Sequence, residues 1–178
     1  IGKSLLKIIS KDKKNYKVEL LSGNKNYKDL LKQAKEFNVK NIIVTDKNCY
    51  NFLKNQINNK INIYNNFKNL KKIFPRKIDY VMSSIVGLDG LIPTIDIIKY
   101  TKKIAIANKE SIICGWNLIK EQLKKNNTEF IPVDSEHFSI WYALKNNKDD
   151  IKRIYLTASG GPFINLPLNK FKKISIKH

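Results

Sequence analysis

The amino-acid sequence predicts an α/β fold, a doubly wound parallel sheet covered by helices. Three observations lead there. Short apolar runs alternate with segments of helical spacing along the whole chain. One of them, Asn41-Ile42-Ile43-Val44-Thr45, is a short apolar run bounded by polar residues, the pattern of a strand buried on both faces. Strand and helix also recur as a repeated unit. Parallel strands joined through helices need right-handed crossovers, and these lay the helices over the sheet.

Each element follows in order. Gly2 to Ser10 carries Leu5, Leu6, Ile8 and Ile9 as a short helical face, and Tyr16 to Leu21 is a strand. Tyr27 to Phe37 repeats Leu30, Leu31 and Ala34 at helical spacing; after the strand at 41–45, Asp46 can cap a helix running through Leu53. Ile61 to Tyr64 is a strand, Phe67 to Phe74 a short helix stopped by Pro75, and Asp79 to Ile85 a strand. Leu88 to Tyr100 is helical, with Pro93 near its first turn, and Ile104 to Ala107 is a strand feeding a helix from Glu110 to Lys125. Phe130 to Val133 is a strand before a helix from Ser135 to Leu144, and Ile154 to Thr157 is a last strand.

Composition narrows the classes of function. A chain of 178 residues with 42% hydrophobic and 10% aromatic residues can bury a core, as one domain or one domain and the start of another. The most apolar stretch, Val81 to Ile98, contains Asp89, Pro93 and Asp96, which argues against a membrane span. Cys49 and Cys114 form no paired motif and read as free thiols in a reducing compartment. The start, Ile1-Gly2-Lys3, has no initiator Met and no signal or transit pattern, so processing or truncation is expected there.

The net charge of +19 invites a nucleic-acid reading. Yet Arg stands only at 76 and 153, whereas base and phosphate recognition leans on Arg. The lysines are spread through every segment beside many Asn and Ile, as a solvated Lys-rich surface would be. No specific nucleic-acid partner is expected, and a noncatalytic Lys-rich nucleic-acid-binding module remains the alternative from another class.

In parallel α/β sheets, ligands bind outside the carboxyl ends of the strands. The loops there hold polar clusters. Ser22-Gly23-Asn24-Lys25-Asn26 follows the first long strand; Asn26 can simply cap the next helix, or Lys25 can favour a ribose 2′-phosphate, hence NADPH. Asn108-Lys109-Glu110-Ser111 is an Asn cap with a lysine at a helix head, where cations are repelled, so that lysine suits a ligand. In Asp134-Ser135-Glu136-His137, two carboxylates at i and i+2 can converge on a hard cation, Mg²⁺ or Mn²⁺, or can suit the helix dipole alone. His137 reads as a pocket-wall residue. Ser159-Gly160-Gly161-Pro162 can approach an anion or make a tight turn.

The succession of these strings carries more than any one of them. Ala107-Asn108-Lys109-Glu110-Ser111, then Pro132-Val133-Asp134-Ser135-Glu136-His137, then Ser159-Gly160-Gly161-Pro162-Phe163 resembles the 1-deoxy-D-xylulose 5-phosphate reductoisomerase family. Ser22 to Tyr27 and Ile85-Val86-Gly87-Leu88-Asp89-Gly90-Leu91 also fit, and the resemblance covers the whole chain.

The resemblance implies an NADPH-binding Rossmann-like domain over 1–126, lacking its first strand, and the beginning of an α/β catalytic domain over 127–178. It implies NADPH-dependent isomerisation and reduction of 1-deoxy-D-xylulose 5-phosphate to 2-C-methyl-D-erythritol 4-phosphate. Ile1, Asn24, Lys25, Asn26, Asn108 and Glu110 match cofactor-binding positions, and Ile1-Gly2 matches the tail of the family's Gly-Ser-Thr-Gly-Ser-Ile-Gly loop. Lys109, Ser135, Glu136 and Ser159 match substrate-binding positions; Asp134 and Glu136 match metal ligands; Lys109, Asp134 and Glu136 match catalytic ones. His178 falls a few residues before the family's substrate histidine. A homodimer is implied for the full-length protein, in the bacterial cytoplasm or a plastid-type organelle. No turnover is expected of this stretch alone, which stops before the family's lid, third carboxylate ligand and C-terminal helical domain. Another NADP-dependent Rossmann oxidoreductase would explain the fold but not the three ordered strings.

Overall fold

Among the described residues, six parallel strands form two three-stranded ladders, with order β1-β2-β3 in one and β4-β5-β6 in the other. The computed structural model describes residues 1–56, 61–146, 151–155, 160–161 and 163–175. The chain divides into two units, Ile1–Asp134 and Ser135–His178, and the strands all belong to the first.

The first ladder joins β1 (Leu20–Gly23), β2 (Asn41–Val44) and β3 (Asn62–Tyr64), with Leu21 opposite Ile42 and Ile42 opposite Ile63. The second joins β4 (Ile78–Ser83), β5 (Thr101–Ile106) and β6 (Glu129–Pro132), with Met82 opposite Ala105 and Ala105 opposite Ile131. The parallel strands between helices are those the sequence predicts; the crossover after β3 delivers β4 to β5, and each ladder ends on its own edges. They still share a core. Ile43, Leu20 and Tyr64 of the first ladder pack with Ile98, Ile104, Ile106 and Ile119 of the second half. A further cluster, built from Leu30, Ala34, Val39, Ile42, Val44 and Leu53, covers the first ladder. Burying an isoleucine fully contributes about 1.5–3 kcal/mol, and Ile42, Ile43, Ile98, Ile104 and Ile119 are all 0% exposed.

Strand boundaries move from their sequence positions, and pairing explains two of the shifts. β1 begins at Leu20, not Tyr16, because β2 begins opposite it at Asn41. β4 stops at Ser83, the partner of β5's last residue Ile106, so Ser84 and Ile85 fall in the following loop. The strand expected over Ile154 to Thr157 does not form at Ile154 and Tyr155, which are irregular; its remainder lies outside the described residues.

Helices α1 (Gly2–Ile9), α2 (Tyr27–Glu36), α3 (Lys47–Gln56), α4 (Leu70–Ile73), α5 (Leu91–Ile98) and α6 (Lys109–Lys125) complete the first unit. Asparagine side chains cap the starts of α2 and α6, and asparagine backbones end the same two. Asp46 Oδ1 accepts from the Cys49 N–H (2.9 Å) at the head of α3. α2 and α6 end with Asn38 (φ 52°) and Asn127 (φ 47°) in the left-handed region. There the N–H groups of Val39 and Thr128 donate to Ala34 and Leu123 carbonyls (2.8 and 3.0 Å), satisfying groups that a helix end leaves open. α6 is kinked at Gly115, where a Cβ would run into the Leu91 side chain of α5, so the two helices can approach closely.

The second unit contains α7 (Ser135–Asn146) and a 3₁₀ turn at Leu168–Lys173. On α7, Phe138 stacks on Tyr142 (5.8 Å between ring centroids) and lies 5.7 Å from Trp141. Phe163 meets Phe171 edge-on at 6.4 Å.

Candidate functional site

The strand ends determine where chemistry can gather. The Ala107 N–H donates to Ser83 O (2.8 Å) and the Val133 N–H to Ile106 O (3.0 Å), so β4, β5 and β6 finish level with one another. The loops after them, at 84–90, 107–109 and 133–134, therefore share one end of the ladder. In the first ladder, the Thr45 N–H donates to Gly23 O (3.0 Å) and fixes the start of the Asn24–Asn26 loop.

That loop is anchored by its backbone and open at its side chains. Lys25 O accepts from the Tyr27 N–H (2.8 Å) and from the Cys49 thiol (3.7 Å), while the Asn24 and Lys25 side chains are exposed. Asn26 caps α2: its Oδ1 accepts from the Asp29 N–H (3.4 Å) and its Nδ2 donates to Asp29 Oδ2 (2.9 Å). The capping role is thus present at a position also matched to cofactor binding. Burial raises the Cys49 thiol above its ordinary range, and neighbouring Asp46 adds to the rise.

One contact here had no signal in the sequence. Lys3 Nζ donates to Asp29 Oδ2 (2.6 Å) across 26 residues, tying the head of α1 to the head of α2. The Lys3 hydrogen bond, helped by Asn26, holds the Asp29 carboxyl below its usual range. A Cβ on Gly2 would lie 3.0 Å from Ser84 Oγ. The start of α1, with exposed Ile1, therefore sits between the head of α2 and the end of β4.

Asn108 is the most enclosed of the expected site residues, at 2% exposure. Its Nδ2 donates to Ile85 O and to Gly87 O (2.7 Å), and its Oδ1 accepts from the Ser111 N–H (2.8 Å). Gly90 leaves room for it, because a Cβ there would collide with Asn108 Nδ2 and Ile85 O. Behind the same loop, Thr94 Oγ1 donates to Gly90 O and meets Ser83 Oγ, both at 2.6 Å. Sequence reasoning singled out Ile85–Leu91 as a segment; it missed the parts played by Ser83, Thr94 and Gly90. Lys109 is exposed and Glu110 half-buried in the first turn of α6.

Asp134 is half-buried just past β6, and Ser135 and Glu136 are exposed in the first turn of α7. Asp134 belongs to the first unit; Ser135 and Glu136 belong to the second. Among the described residues, no three His, Cys, Asp or Glu gather as a metal cluster. Carboxylate oxygens are of the donor type that a hard divalent cation takes. Ser159 and His178 lie outside the described residues, as does Pro162. Two surface depressions, of about 420 and 500 Å³, lie at the opposite, amino ends of β4–β6 and are lined mainly by Lys, Phe and Tyr side chains and helix ends. Neither includes any of the expected site residues.

These observations define the class: an α/β, Rossmann-like unit whose parallel strands carry polar loops and helix heads at one end. The family model for 1-deoxy-D-xylulose 5-phosphate reductoisomerase matches residues 1–115, and the model for the C-terminal domain of that enzyme matches 130–178. The chain belongs to the 1-deoxy-D-xylulose 5-phosphate reductoisomerase family. It is 63% identical to the reductoisomerase of Pelagibacter ubique over 99% of this chain and 47% of that relative. It is 38% identical to the one from a Wolbachia of Drosophila simulans, over 99% of this chain and 45% of the relative. The chain thus spans about half the length of the curated relatives it matches. Among solved structures, the reductoisomerase of Zymomonas mobilis in complex with NADPH superposes with a TM-score of 0.68 at 33% identity, covering 76% of this chain and 36% of that one. A reductoisomerase in complex with NADPH, fosmidomycin and magnesium gives 0.75 at 28% identity, covering 99% and 47%. Among the described residues, no helix is long and apolar enough to cross a membrane.

Proposed function

We propose that this chain is the cofactor-binding part and the start of the catalytic part of an enzyme that converts 1-deoxy-D-xylulose 5-phosphate to 2-C-methyl-D-erythritol 4-phosphate with NADPH. The observation that carries the reading is the placement of Asn24–Asn26, Asn108–Glu110 and Asp134 just past the carboxyl ends of parallel strands in one unit. Ligands of open α/β sheets bind at such ends. The relatives' complexes with NADPH and magnesium support the same cofactors here. Residues 1–126 are assigned to the NADPH-binding domain and 127–178 to the catalytic one, whose first strand, β6, is laid along β5.

Each side chain then has a task. The exposed Lys25 ammonium offers a charge to the ribose 2′-phosphate, and its anchored backbone keeps that charge at the loop's tip. Asn24, Asn26, Ile1 and Glu110 line the remaining cofactor surface, and Asn108 stands at the same strand end, buried at the head of α6. Asp134 and Glu136 would hold Mg²⁺ or Mn²⁺. When bound, the cation supplies Lewis acidity at the substrate carbonyl and NADPH supplies hydride. Lys109, exposed at the head of α6, places a positive charge where oxyanion charge develops. Ser135 and Ser159 offer hydroxyl donors to the substrate. A homodimer of the full-length protein, in the bacterial cytoplasm, is the assembly and location that accompany this reading; bacterial relatives support the location.

The test replaces the matching half of the Pelagibacter ubique relative by this chain and follows NADPH oxidation driven by the substrate. Turnover is expected. Asp134→Asn should lower it by roughly 100-fold or more, since charge stabilisation of several kcal/mol is removed. Unchanged turnover and unchanged metal dependence in that variant would remove Asp134 from the metal site.

A further inference from the structure

We propose that the Asn108 side chain is a positioning residue, a clamp that holds the Ile85–Gly90 loop against the head of α6. It acts on the cofactor only through the groups it places. The inference rests on the reading of this strand end as the cofactor site, and it assigns the side chain a role different from direct contact.

Hydrogen-bond accounting leads to it. A carboxamide has two N–H donors and one carbonyl oxygen. Both atoms of this one are engaged inside the protein: Nδ2 with the carbonyls of Ile85 and Gly87, and Oδ1 with the Ser111 N–H at 2.8 Å. The residue is 2% exposed, so no donor remains to turn toward a ligand. The two halves of the amide also do different work. The donors hold the loop after β4; the acceptor caps α6. A loop carbonyl and a helix amide are thereby fixed to one rigid plane, which sets Lys109 and Glu110, next in sequence, relative to Val86 and Gly87.

The surroundings are shaped around this amide. Gly90 lacks the Cβ that would strike Nδ2. On the other side, Gly90 O is held by Thr94 (2.6 Å), which Ser83 braces in turn (2.6 Å). The loop is gripped from β4, α5 and α6 at once, while Val86 stays 85% and Leu88 59% exposed at its surface. Both polar atoms of the Asn108 carboxamide are satisfied, although the Ser111 hydroxyl buried beside them has no hydrogen-bond partner.

Asn108→Asp and Asn108→Ala in this chain separate the donor and acceptor roles. Asp keeps the shape and the acceptor but sets oxygens against the two carbonyls. Residue-resolved hydrogen exchange is the readout, taken without cofactor. In Asn108→Asp, amides at 88–90 should exchange about tenfold faster or more, while the Ser111 amide stays protected. In Asn108→Ala, both should lose protection. Equal effects of Asp and Ala at the two places would overturn the clamp and leave a plain packing role. NADPH titration of the same samples follows. Weakened binding in Asn108→Asp with unchanged loop exchange would mean direct contact and would also overturn it. Absence of NADPH binding by the unsubstituted chain would count against the functional reading, and the exchange result would still decide the clamp.

Discussion

Replacing Thr94 by valine should destabilise the first unit out of proportion to the single oxygen removed. Thr94 is 1% exposed and Ser83 is 7% exposed, so neither hydroxyl can turn to water. Thr94 has one hydroxyl proton, and it goes to Gly90 O at 2.6 Å. Ser83 is therefore the donor in the 2.6 Å contact between the two hydroxyls. Valine fills nearly the same volume, so the cavity contribution is small. It leaves the Ser83 hydroxyl without its acceptor, which costs about 1–3 kcal/mol when buried, while the Gly90 carbonyl, the N-cap of α5, loses its side-chain donor and keeps the backbone N–H of residue 94. Thr94→Val should thus cost about 1–3 kcal/mol. Ser83→Ala removes a donor while Thr94 keeps its bond to Gly90, and should cost about 1 kcal/mol. With both changes no hydroxyl is left stranded, so the pair should cost about 1 kcal/mol less than the sum of the singles. Urea unfolding followed by circular dichroism gives all the terms. Strict additivity, or a Thr94→Val protein as stable as the parent, would refute the hydrogen-bond accounting.

Asp29 provides a pH test. Its carboxyl is held below the ordinary 3.8 by Lys3 and then Asn26, so its contribution is present above that value. The contribution is lost as the pH falls through the depressed folded value. An NMR carboxyl titration should show the low value in the parent and a return toward 3.8 in Lys3→Ala or in high salt, because the pair is exposed. Cys49 should alkylate more slowly than exposed Cys114, since burial first, and Asp46 next, raise its thiol. Asp46→Asn keeps a capping side chain and should speed Cys49, as mass mapping of iodoacetamide adducts would show; a Cys49 faster than Cys114 in the parent would contradict this. Asn127, at φ 47°, ends α6 in the left-handed region. Asn127→Ala should cost about 1 kcal/mol in urea unfolding, whereas Asn127→Gly should cost nothing or stabilise.

The loops that gather at the strand ends were legible as strings, because residue type alone marks a cap, a carboxylate pair or a lysine at a helix head. The structure changed the meaning of some of them. In the sequence Asn108 reads as a helix cap, and the resemblance adds a cofactor position; its burial and its two donor bonds show a side chain already committed to the protein. Asn26 is likewise a cap in fact as well as in pattern. Boundaries were less legible, since where a strand stops depends on its neighbour's length: Ser83 ends β4 because Ile106 ends β5.

What the sequence determined by itself was the alternation of parallel strand and helix, the position of the polar loops, and the family, because each depends on local residue order. What only the tertiary structure decided were relations between residues far apart in the chain. Lys3 meets Asp29, Gly2 lies by Ser84, Gly90 makes room for Asn108, and Thr94 braces the loop that Asn108 holds. The six strands also sort into two ladders. The physical reason is common to all of these. A hydrogen bond or a close approach is set by distance in space, and local pattern carries no record of which distant group folding brings within reach.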